Sequence, residues 1–285
     1  MPLLDREEYI EQAYFFRVFR ERIEENVPSQ EVLQMVREEI LATTKLPLAI
    51  DFLRGELEHR GRISQGMGHL GHYFTTFQTF LVSKAEEDTS KFDLRIALQI
   101  LEREAQYRSE DPKPAALFVY QFECLARNRL GYDHGLQAIA GDPMYDQTWA
   151  EWIRRARRQL GTVDFADLIY SRSEFSLEEA RRQERNPDLQ PPYPLLFGRS
   201  EGRIAKASRG KDPLYMFAAL QRQLGYPAVP RSQAVKTGPT FEPAVDMRFQ
   251  RVELRLLLLE QEQKGNVDLS KLARGLGSST DDLTP

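Results

Sequence analysis

The 285-residue chain holds one cysteine, four histidines and two tryptophans. Each scarcity closes a class of function. A single Cys124 forms no internal disulfide, and its place in LFVYQFECLA assigns it to packing rather than nucleophilic chemistry. No apolar run approaches the ~20 residues that a membrane span needs. There is no P-loop and no Cys-x-x-Cys, and the glycines of GMGHLG lack the strand-before-helix context of a nucleotide loop. MPLLDREEYI turns acidic at once, unlike a basic-then-apolar leader, so a reducing cytoplasm is expected. With 39 Lys+Arg against 43 Asp+Glu, the chain has no global attraction for nucleic acid or an anionic membrane. No cofactor is called for.

What is present is helical periodicity, and it predicts an all-α fold. Asp5 and Glu8 have capping-box spacing ahead of a stripe of Ile10, Ala13, Phe16 and Phe19. Pro28-Ser29 punctuates a second helix bearing Val32, Val36 and Ile40. Pro47 opens a third, which Gly61 ends. A long fourth helix is expected over 62–87, with Ser64, Gly68, Gly71 and Thr75 as a small-residue seam against a neighbour. Further helices are expected at about 92–107, 113–130 and 143–160.

The chain is read as an N-terminal helical region (1–62), a middle region (63–172), a proline-rich connector (173–211), C-terminal helices (212–264) and a flexible tail (265–285). The connector reading rests on RNPDLQPPYPLLFG, whose prolines exclude regular helix. The helix over 245–259 is amphipathic, so it either closes the core or pairs two chains as a homodimer. Two segments, LIYSRSE (168–174) and LLFGRSE (195–201), echo one another across the connector.

Asp-Pro occurs at 111, 142 and 212, and Leu-Gly follows at 130, 160 and 224. Aspartate caps exposed N–H groups, proline suits a first helical turn, and glycine accepts a left-handed terminus. Met67, Leu70, Gly71 and Phe74 stand at W-x2-L-G-x2-Y spacing. Ala97 and Leu101, then Ala166 and Tyr170, stand at A-x3-F spacing, and Trp149 and Trp152 fill the first two positions of another unit. Over roughly 63–172 the chain therefore resembles the tetratricopeptide repeat, a 34-residue helix pair. The alternative architecture is an irregular helical bundle whose helices simply need caps.

The resemblance implies a non-catalytic scaffold with a concave peptide groove. Carried onto this chain, the groove positions are Arg154, Arg157 and Arg158, Arg127 with Glu123, and His72 with Thr75 and Thr76. Guanidinium groups bind carboxylates in a fork, so an acidic peptide or protein partner is expected. A competing reading leaves the arginines of IRRARR as cations at the negative end of a helix dipole, worth ~0.3–1 kcal/mol. The enzymatic alternative is a helical, di-iron-like metal site on Glu56, His59, His69 and His72, because Glu56 and His59 have the Glu-x-x-His spacing of such bundles.

Overall fold

The computed structural model describes residues 3–87 and 92–231. Among them stand thirteen α-helices and no β-strand, so the protein is all-α. None of these helices is long and apolar enough to cross a membrane. The expected helix over 245–259, the homodimer assigned to it and the tail at 265–285 lie outside the described residues.

Helix α1 (Arg6–Glu24) buries Tyr9, Gln12, Phe15, Phe16 and Phe19, while Ile10 remains exposed. Each fully buried phenylalanine contributes about 1.5–3 kcal/mol. The expected capping box at Asp5 and Glu8 does not form: the Asp5 side chain makes no cap. Glu8 accepts instead from the Lys45 amide at 2.8 Å and the Tyr73 hydroxyl at 2.7 Å. A carboxylate with two distant donors in a protected site gains more there than at an exposed helix end. Helices α2 (Ser29–Glu39) and α3 (Leu46–Arg60) pair with each other, and the left-handed Gly61 ends α3.

The long helix expected over 62–87 is broken in two, α4 (Ile63–His69) and α5 (Thr76–Ala85). The ladder stops at Leu70, whose carbonyl takes both the Tyr73 and Phe74 amides. A new start follows at Thr75, where a capping box with Gln78 satisfies the first amides of α5. Three glycines over 66–71 had already weakened the helix, at about 1 kcal/mol each against alanine. The close approach falls at Gly66, where an added Cβ would lie 2.8 Å from the Leu53 side chain, and not at Gly68 or Gly71.

Helix α6 (Leu94–Arg108) packs along α1, and α7 (Pro114–Asn128) packs on α8 (Tyr132–Ile139). Helix α9 (Gln147–Gln159) packs on α8, and α10 (Phe165–Tyr170) follows it. Residues 173–211, read as connector, contain α11 (Glu174–Glu184) and α12 (Arg199–Ser208) around the proline stretch. The prolines are confined to 187–194, and Ser173 caps α11 by accepting from the Ser176 amide. The two echoing segments lie side by side: the Leu196 and Phe197 amides donate to the Arg172 carbonyl, and the Glu174 amide to Phe197. Helix α13 (Pro213–Leu224) packs on α7 and α12.

Gly131, Gly161 and Gly225 all take positive φ after their leucines, but of the three only Gly225 ends its helix: α7 ends at the left-handed Arg129 and α9 at Leu160. The Asp-Pro pairs are not equivalent. Asp212 caps α13. Asp111 takes φ +65° ahead of α7 without capping it, and Asp142 is buried while Asp146 caps α9.

Candidate functional site

The aromatic residues of α7, α9, α10 and the 197 segment meet in one cluster. Phe118 contacts Trp149, Trp152, Phe165 and Phe197, with the Trp152 ring edge-on at 4.8 Å. Such pairs contribute about 0.5–1.5 kcal/mol beyond burial. The cluster continues outward as a stack in which Phe122 lies on Phe165 at 3.7 Å and on Tyr132 at 5.3 Å. Tyr132 is 45% exposed, so the stack reaches the surface.

There it forms one wall of a cleft of about 310 Å³. Ala126, the turn Leu160–Asp164, Pro213 and Phe217 complete it. The turn is tight because the Gln159 carbonyl takes the Thr162 and Val163 amides while Gly161 adopts φ +97°. Leu214 and Tyr215, on the first turn of α13 beside Pro213, are exposed.

The end of α9 borders this cleft through Leu160. Arg157 forks onto Asp133 with bonds of 2.6 and 2.8 Å, and Asp133 adjoins the cleft residue Tyr132. That fork holds the Asp133 carboxyl below the ordinary range. Arg154 and Arg158 are exposed and make no ion pair among the described residues. Residues 151–231 carry 15 Lys+Arg against 10 Asp+Glu, whereas residues 1–150 carry 17 against 25, so this side of the chain is the basic one.

The other expected groove residues do not join them. Glu123 is buried, bonded to the Arg127 Nε and to the Tyr226 hydroxyl at 2.7 Å. Burial, then the Glu123 charge, pushes the Tyr226 hydroxyl well above its ordinary value. This lock ties α7 to the chain beyond α13. His72 is exposed on the turn between α4 and α5, Thr75 is spent as a cap, and Thr76 donates to the Ala138 carbonyl at 2.6 Å. None of these residues lines the cleft.

The alternative metal site on Glu56, His59, His69 and His72 does not assemble among the described residues. Glu56 and His69 approach to 3.5 Å, while His59 and His72 are exposed. Among the described residues no three histidine, cysteine or acidic side chains are placed to hold a metal. The break after His69 is the physical reason, since a continuous helix was needed to carry His69 and His72 on one face. Cys124 is buried, and burial pushes its thiol far up, leaving it inert. GRSEG (198–202) has the spacing of a serine-nucleophile turn, yet no strand precedes Ser200 and Ser200 bonds no histidine among the described residues.

Two buried arginines were not legible as such. Arg108 bonds Glu104 at 2.7 Å and also the Asp142 carboxylate, with Gln121 on Glu104 and Tyr145 on Gln121, both at 2.7 Å. Burial raises the Glu104 carboxyl, against the pull of Arg108. Burial also works against the Arg108 charge, but Asp142 and Glu104 outweigh it and hold its proton. In the sequence, Glu104 and Arg108 have the four-residue spacing of any surface pair. Arg172 is the second, 8% exposed. No protein-family model, curated protein or solved structure matches the chain.

Proposed function

We propose that the protein is a non-catalytic interaction protein that binds an acidic segment of a partner on the α9–α13 side. An apolar side chain of that segment enters the Phe122–Phe165 cleft, and its carboxylates meet Arg154, Arg157 and Arg158. The observation that carries this reading is an aromatic-walled cleft opening beside a helix end with two exposed, unpaired arginines. Apolar pockets with a few polar groups at the rim are the usual form of recognition sites. Aromatic and arginine side chains dominate binding energy at interfaces. The tetratricopeptide-like frame belongs to this proposal, supported by the packing of α7 on α8 and of α8 on α9. So does a cytoplasmic setting, in which Cys124 stays a thiol.

The test is affinity capture from native lysate with the wild type and the R154E/R157E/R158E variant, after circular dichroism shows both are folded. Proteins held by the wild type and lost by the variant are expected, with acidic segments common to them. Equal capture by the folded variant overturns the reading.

A further inference from the structure

Buried charges in proteins are normally paired, because taking an ion out of water costs several kcal/mol. Arg172, in the turn after α10, breaks that pattern. Its Nη1 donates to the Pro194 carbonyl at 3.2 Å, and its guanidinium lies 4.0 Å from the centroid of the Tyr193 ring. Its own carbonyl is held by the Leu196 and Phe197 amides. The group is thus clamped in place, yet no carboxylate lies within 4.0 Å of it among the described residues.

Neighbouring cations are treated differently. Arg209 reaches Asp167 at 2.5 Å, Lys206 reaches Glu179 at 2.5 Å, and Arg199 reaches Glu178 at 3.1 Å. The Arg172 nitrogens that make no protein hydrogen bond are not sealed off: none is both buried and without a partner. They open to solvent, as a donor fork awaiting an acceptor would.

We propose that Arg172 is the centre of an oxyanion site, presenting its donor fork to a carboxylate or phosphate group. The surrounding electrostatics support it. Burial, then the Arg155 charge, lowers the proton affinity of Arg172; the Tyr193 phenol alone opposes them, and no carboxylate does. A bound anion offsets both, through a charge-assisted fork of the kind arginine forms with planar or tetrahedral oxyanions. The site shares no residue with the cleft or with the α9 arginines assigned to the partner, so either assignment stands without the other.

The test follows the arginine Nε–Hε NMR signals of the full chain during titration with inorganic phosphate, with acetate in parallel, at ionic strength matched with chloride. R172K and R155Q assign the two signals, and Arg155 is exposed, so R155Q keeps the fold. A saturable shift of the Arg172 signal is expected, weakened by up to about tenfold in R155Q by loss of the neighbouring positive charge. Saturation by phosphate alone specifies a phosphate group, and saturation by acetate as well specifies a general oxyanion site. An Arg172 signal that follows chloride alone, or that moves without saturating with either anion, overturns the proposal.

Discussion

Arg108 and Arg172 are the two arginines buried among the described residues, and the fold around each is opposite in kind. Arg108, on the last turn of α6, sits between two carboxylates with no exposure to speak of, and Gln121 and Tyr145 extend the hydrogen bonding. Arg172 sits on an aromatic ring against one carbonyl, with no counter-ion and with donors open to water. In the first arrangement the arginine's charge is matched within the protein, which fixes α6, α7 and the 142 turn relative to one another. The second is finished only by something from outside. Burial alone therefore does not separate a structural arginine from a receptive one; the supply of acceptors does.

The sharpest way to break the comparison is Arg108→Met. It strands Glu104 and Asp142 in the interior and should cost about 3–5 kcal/mol in urea unfolding. Arg172→Met should cost no more than about 1 kcal/mol in the same assay. A lost hydrogen bond and a lost ring contact, each about 0.5–1 kcal/mol, are offset by removing an uncompensated charge. A loss as large as that of Arg108→Met would make Arg172 structural.

Glu104→Gln sharpens the other side. Two carboxylates share Arg108, one Glu104 oxygen has no partner, and burial followed by the Asp142 charge lifts Glu104 above its ordinary 4.5. The folded state then binds the proton more tightly than the unfolded chain. Wild-type stability should fall relative to the glutamine variant as pH rises from about 4.5 through the folded value. The check is thermal melting of both proteins across that range, and parallel curves would mean that Glu104 stays ionised. At neutral pH the variant should lie within about 1 kcal/mol of wild type or above it. The smallest effect is expected at Asp133→Ala, since its pair with Arg157 is solvent-exposed. Melting should barely change, and a third free arginine should strengthen capture of acidic partners.

The legible part of this fold was the part decided within a turn of chain. The left-handed Gly225 after Leu224, the Asp212 cap and the Gly61 stop all sit where their residue types demand, whereas α7 ends at Arg129, ahead of Leu130-Gly131. The site was half legible. Arg154, Arg157 and Arg158 could be named from the helix register, but their neighbour, the cleft, joins α7, α10 and α13 and leaves no local pattern. Glu123 and Arg127 looked equally suitable, but Arg127 is spent on Glu123, and Glu123 also accepts from Tyr226, 103 residues beyond it.

By itself, then, the sequence determined the all-α class, most helix termini and the residues available for burial, because capping and amphipathicity are settled over three or four residues. Tertiary structure alone decided that Asp142, which still accepts from the Met144 amide, also pairs with Arg108, 34 residues earlier, and that the two echoing segments pair. It also decided that Arg172 is buried without an acid. Those outcomes depend on which acceptors packing brings within about 3 Å of a donor, a quantity set by the whole fold rather than by spacing along the chain.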